Sequence, residues 1–118
     1  MNIKSFYEYE NLAKSFALYP EAGTGSTMAL AYTALGLAGE SGEYTEKVKK
    51  LIRDGKLDKP LALKELSDVL WYLTASAKEL GYTLADVAEV NIVKLMDRAE
   101  RGKLQGSGDT RWMLNYMT

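Results

Sequence analysis

Apolar positions along this chain recur at helical rather than strand spacing. Residues 3 to 19 place Ile3, Phe6, Tyr7, Leu12, Phe16 and Tyr19 near one face and stop at Pro20, which predicts a first helix. The segment PEAGTGST at 20–27 is rich in turn formers, and Ser26 or Thr27 stands where a cap for the next helix belongs. From Met28 to about Arg53 there is no Pro, and Leu30, Leu35, Leu37, Val48, Leu51 and Ile52 supply the apolar face of a long second helix that Asp54-Gly55 ends. Asp58-Lys59-Pro60 reads as an N-cap followed by Pro in the first turn, opening a third helix that runs to Leu80 before Gly81. Thr83-Leu84-Ala85-Asp86 is a capping box with Asp in place of Glu and predicts a fourth helix through about Glu100. RGKLQGSGDTR then reads as loop, and RWMLNYMT at 111–118 as a last turn or short helix that docks.

No strand-like alternation persists long enough for a sheet, so the expected fold is all-α, a small bundle of four main helices. A length of 118 residues is enough for one core and too little for two, which makes 1–118 a single domain. Short helices in a single layer leave apolar faces on more than one side of the second and fourth helices. The bundle is therefore expected to be completed by further copies of the chain, as a homodimer or homotetramer. Gly36, Gly39 and Gly42 recur at intervals of three within the second helix. They mark either a strip where something approaches closely or simply a weak helix.

Composition narrows the chemistry. With 47% hydrophobic and 26% charged residues the chain is ordinary globular protein. Lys and Arg total 15 against 16 Asp and Glu, so there is no broad positive field for a nucleic-acid polymer. Cys and His are both absent, which removes thiolate chemistry, the commonest general base and the usual ligands of zinc. Acid-base or metal chemistry must come from carboxylates, Lys, Tyr or water, and an all-oxygen site suits Mg²⁺, with Mn²⁺ as a substitute. The N-terminus has no signal-peptide pattern and no run approaches the roughly 20 apolar residues of a membrane span, so a soluble, cytoplasmic protein is expected.

The candidate chemistry lies in two acidic pairs, Glu40 with Glu43 and Glu65 with Asp68, each spaced i, i+3 and hence on one helix face. If the second and third helices pack antiparallel, the pairs converge. Four carboxylates so close repel unless a divalent cation neutralises them. Glu65 and Asp68 are interleaved with Leu66, Val69, Leu70 and Leu73, and Glu40 follows the uncharged run TMALAYTALGLAG, settings in which an unpaired acid is costly.

AGESGEYTEKVKK followed by KELSDVLWYL resembles the E-x-x-E and E-x-x-D signature of the MazG-like, all-α nucleoside triphosphate pyrophosphohydrolases, a superfamily that includes dCTP pyrophosphatases and dimeric dUTPases. The resemblance covers about residues 28–111. It implies Mg²⁺-ligand and catalytic roles for Glu40, Glu43, Glu65 and Asp68, and Mg²⁺-dependent hydrolysis of (deoxy)nucleoside triphosphates to the monophosphate and pyrophosphate by water attack at the α-phosphorus. NIVKLMDRAERG resembles the family's third segment, which implies phosphate or sugar contacts for Asn91, Lys94 and Arg98. Some members carry a further Glu immediately before the first acid and use it to activate water. Gly39 stands at that position here, as it does in dCTP-pyrophosphatase-like members, so the base must be another group, with Glu43 a candidate.

Several other residues carry two readings each. Lys47 and Lys50 either neutralise phosphate or form a solvated, dipole-favourable helix end. Tyr72, one turn after Asp68, either reaches the ligand's sugar or α-phosphate or is a core aromatic, and Trp71 either stacks on a base or fills the core. GSGD at 106–109 with Arg111 could fold over phosphates through backbone N–H groups and a guanidinium, although a Gly-rich loop is a weak signal on its own. Phosphoribosyl-ATP is an alternative substrate, and a non-catalytic helical adaptor is the alternative outside enzymes. Di-iron bundles are excluded because their Glu-x-x-His motifs require His.

Overall fold

A computed structural model describes residues 1–102, and Arg111, the GSGD segment and the 111–118 segment lie outside the described residues. The described chain is helical, with α1 at Phe6–Ala13, a 3-10 turn at Lys14–Phe16, α2 at Thr27–Asp54, α3 at Lys59–Glu79 and α4 at Leu84–Glu100. The all-α architecture of four main helices agrees with the apolar periodicity. Two compact units are present, Met1–Leu84 and the stretch from Ala85 onward, which carries α4.

The predicted boundaries hold where a specific side chain enforces them. Ser26 Oγ accepts from Ala29 N–H at 3.2 Å to open α2, and Asp58 Oδ1 accepts from Leu61 N–H at 3.1 Å to open α3, each cap contributing about 1 kcal/mol. Gly55 ends α2 in the left-handed conformation, φ +74°, with its N–H on Leu51 O at 2.8 Å. The first helix is shorter than its apolar spacing predicts. Ser5 caps it by accepting from Glu8 N–H, α-helix ends at Ala13, and the 3-10 turn ends at Phe16. Beyond it the chain turns so that Tyr19 is buried rather than continuing on a helix face.

α2 and α3 run antiparallel as a hairpin. Ala29 and Ala75 share the buried cluster with Tyr19, Gly36 faces Tyr72 one step further along, and Glu40 approaches Glu65 beyond that. Small side chains let the helices approach closely. Ala29 and Thr33 are fully buried, and the Thr33 hydroxyl is satisfied within its own helix by Ala29 O and Leu30 O. Of the three glycines in α2 only Gly36 is packed, because a Cβ there would stand 2.2 Å from the Tyr72 ring, whereas Gly39 and Gly42 have open space. Apolar stripes remain uncovered on both helices, Met28, Tyr32 and Leu35 on α2 and Leu63, Leu66 and Leu70 on α3.

Candidate metal centre

One carboxylate oxygen from each of Glu40, Glu43 and Glu65 lies within 4.8 Å of the others, across the α2–α3 hairpin. Glu40 and Glu43 are one turn apart on α2, and Glu65 reaches over from α3, as the antiparallel pairing requires. Glu43 is exposed, Glu40 half-buried and Glu65 only 5% exposed. Glu40 Oε2 and Glu65 Oε2 are buried without any hydrogen-bond partner. Two carboxylate oxygens withdrawn from water and unpaired within a cluster of three acids are unfavourable by themselves, and coordination of a hard cation is one chemistry that satisfies them. The donor set therefore fits a hard divalent cation of the Mg²⁺ class.

Asp68 stands outside this three-residue set but close enough to act on it. The Glu40 carboxyl is pushed above its ordinary range first by burial and then by the neighbouring charges of Glu43, Asp68 and Glu65. Tyr72, one turn beyond Asp68, bridges from the acids to an aromatic cleft. Burial raises its hydroxyl pKa, with Tyr32, Glu40 and Asp68 adding to the shift.

That cleft, a hollow of about 240 Å³, is lined by Phe16, Leu18, Tyr19, Pro20, Tyr32, Trp71 and Tyr72. Tyr19 stacks on Tyr32 with ring centroids 5.3 Å apart, and Trp71 meets both Tyr19 and Tyr72 edge-on at 6.2 and 5.1 Å. Trp71 serves the core, as one of its two readings expects, and also lines the cleft. It packs against the buried cluster, its indole N–H donates to Ala13 O at 3.3 Å, and it forms part of the cleft wall. A larger hollow of about 440 Å³ shares Tyr19 and Trp71 in its lining. Its one carboxylate, Glu10, already accepts from Leu84 N–H at 2.8 Å, so it offers no metal site.

Lys47 and Lys50 follow Glu43 on α2, both half-buried. Lys50 lies near Glu46 and Asp54, toward the helix end, whereas the ion pair of that stretch is Lys49 with Glu46 at 3.1 Å. Asn91, Lys94 and Arg98 share a face of α4, Asn91 exposed and the two cations half-buried, and the Arg98 Nε has no partner among the described residues. Arg111 lies outside the described residues.

Sequence reasoning missed Tyr32, Glu79 and the role of the 20–26 loop. Tyr19 and Tyr32 reach the cleft only through the chain reversal after Phe16, and a lone Glu near a helix end gives no pattern to read.

Comparison with known proteins follows the same residues. The family model for the MazG nucleotide pyrophosphohydrolase domain matches residues 29–102, a span containing both acidic pairs and all of α3 and α4. The Gene 37 protein of Mycobacterium phage L5 is 40% identical over 109 residues, covering 87% of this chain and 96% of the phage protein. No solved structure matches.

Proposed function

The chain belongs to the MazG nucleotide pyrophosphohydrolase family, and on that premise we propose that it hydrolyses (deoxy)nucleoside triphosphates to the monophosphate and pyrophosphate, using Mg²⁺ held by Glu40, Glu43, Glu65 and Asp68. The observation that carries this reading is the convergence of Glu40, Glu43 and Glu65 with two buried, unpartnered oxygens. These carboxylates would hold a divalent cation, which when bound would supply neutralisation of phosphate charge and activation of water.

The chain's own residues do the rest. Water adds to the α-phosphorus, the bond to the oxygen bridging the α- and β-phosphorus breaks, and pyrophosphate leaves with that oxygen and its electron pair. Glu43, the exposed member of the cluster, is the acceptor we assign to the water's proton. Because Tyr72 adjoins both the acids and the cleft, a triphosphate held at the acids directs its sugar past Tyr72 and its base into the hollow walled by Tyr19, Tyr32 and Trp71. Lys47, Lys50, Asn91, Lys94, Arg98 and Arg111 are the further substrate contacts we propose, as counter-charges and hydrogen-bond donors to phosphate.

The uncovered stripes on α2 and α3 support assembly with a second copy, as a homodimer or homotetramer. No helix among the described residues is long and apolar enough to cross a membrane. The deciding experiment incubates the protein and Mg²⁺ with a panel of NTPs, dNTPs and phosphoribosyl-ATP and analyses the products. Monophosphate with pyrophosphate is expected. Orthophosphate with a diphosphate product would overturn the reaction, turnover of phosphoribosyl-ATP alone would reassign the substrate, and no turnover with no Mg²⁺ binding would leave the adaptor.

A further inference from the structure

Glu79 is the other buried acid among the described residues, 5% exposed at the last turn of α3, and no part of the proposed reaction uses it. Its surroundings are the reverse of those at the metal centre. Glu79 Oε2 accepts from the Tyr19 hydroxyl and from Gly23 N–H at 2.7 Å, and Oε1 accepts from Gly25 N–H at 2.9 Å. The loop reaches this carboxylate because Glu21, Gly23 and Gly25 all take positive φ, at 58°, 83° and 69°, which turns alternate backbone N–H groups inward as a cradle for an anion. Here the anion is a side chain of the protein itself. A Cβ on Gly25 would lie 3.1 Å from Glu79 O, so the loop is also pressed against the helix end at that point.

One carboxylate thus fixes both ends of the segment that carries the cleft wall. Tyr19 and Pro20 line the cleft directly, and Ser26, just past Gly25, caps the helix that presents Tyr32 and the first two acids. We propose that Glu79 is a positioning residue for the base side of the substrate cleft, holding the Tyr19 ring against Tyr32 and Trp71 so that the wall is in place before the nucleotide arrives. This rests on the functional reading above. Pre-formed walls lower KM because the ordering of loop and ring has already occurred in the free protein. Phosphate hydrolysis at the acids needs no such wall.

Glu79→Gln preserves size and removes the second acceptor. Whichever way the amide turns, its NH₂ faces at least one donor, and the less costly orientation leaves Gly25 N–H unpaired. The test compares wild type and Glu79→Gln on the deoxynucleoside triphosphate that wild type hydrolyses fastest and on methyl triphosphate, which has no base. The expected result is a KM for the nucleotide raised about tenfold with kcat within about twofold, and comparable rates for the two proteins on methyl triphosphate. Tyr19→Phe, which keeps the ring and removes only its hydroxyl, should raise the nucleotide KM in the same direction by a smaller factor, and it decides the matter if Glu79→Gln does not fold. An unchanged nucleotide KM, or an equal loss of kcat on both substrates, overturns the positioning role while leaving the pyrophosphohydrolase reading intact. Wild type that releases no pyrophosphate from any nucleotide overturns both.

Discussion

Replacing Glu65 by Gln should stabilise the metal-free protein and destabilise it relative to wild type once Mg²⁺ is added. Three carboxylate oxygens lie within 4.8 Å of one another, and each pair of full charges at that separation repels by about 1 kcal/mol at the dielectric of water and about 3.5 kcal/mol at an effective value near 20. Glu43 is exposed, so pairs involving it sit toward the lower figure. The Glu40 carboxyl is pushed above its ordinary value by burial and then by its neighbours, the sign that such crowding produces. A net gain of about 1–2 kcal/mol for Glu65→Gln at pH 8 is the reasonable magnitude, since the change removes one buried charge from a cluster of three. For a chain of this size that raises Tm by on the order of 5 °C.

Metal reverses the order. If Mg²⁺ binds wild type about a hundredfold tighter than its working concentration, it adds about 2.7 kcal/mol to the folded state, whereas the variant, lacking the buried ligand, gains little. Thermal melts of both proteins at one protein concentration, with EDTA and with 10 mM Mg²⁺ (about a hundred times a Kd of roughly 0.1 mM), should therefore cross. The reasoning fails if the variant melts below wild type in EDTA, or if Mg²⁺ raises both melting temperatures equally.

Glu43→Gln and Asp68→Asn should each abolish pyrophosphate release while leaving helical circular dichroism intact, and unchanged turnover in either would separate that acid from the reaction. Gly36→Ala should cost about 1–3 kcal/mol and depress activity, because the new Cβ meets the Tyr72 ring at 2.2 Å and that ring must move from its place beside the acids; a stable, fully active variant would contradict the packing. Burial would raise the Glu79 carboxyl, but the bonds from Tyr19, Gly23 and Gly25 outweigh it and hold it below 4.5. A lowered carboxyl contributes stability above its unfolded value and loses it as pH falls through the folded one, so wild type should lose stability below about pH 4.5 more steeply than Glu79→Gln, as acid denaturation followed by circular dichroism would record. Sedimentation at micromolar concentration should find a dimer or tetramer, and a fully active monomer would refute completion of the bundle by further copies.

What the sequence made legible is what local chemistry determines. The caps at Ser26 and Asp58 act on N–H groups three residues away, and the stop at Gly55 reaches back only to Leu51, so each was readable in place. The acidic pairs were readable because i, i+3 spacing fixes a helix face and a short connection makes the hairpin antiparallel. The aromatic cleft was not. Its members come from residues 16–20, 32 and 71–72, and the bonds that set Tyr19, Gly23 and Gly25 span 60, 56 and 54 residues. The apolar spacing of residues 3 to 19 also misled, because Phe16 and Tyr19 serve a turn and a ring stack rather than a helix face.

The two buried acids of α3 show how one helix divides stability from chemistry. Glu65 and Glu79 have the same exposure, 5%, and lie four turns apart on one helix. Glu79 is fully bonded by donors from the loop and so strengthens the junction at the buried cluster of Tyr19, Ala29 and Ala75. Glu65 has an oxygen with no partner and stands beside two further carboxylates, so the same burial weakens the hairpin there. On the proposed function, α3 has a polarity, with a tied end assigned to the nucleoside wall and an acidic end assigned to the phosphate chemistry. A substitution at the first should therefore appear in KM and in acid stability. One at the second should appear in kcat and in the response to Mg²⁺.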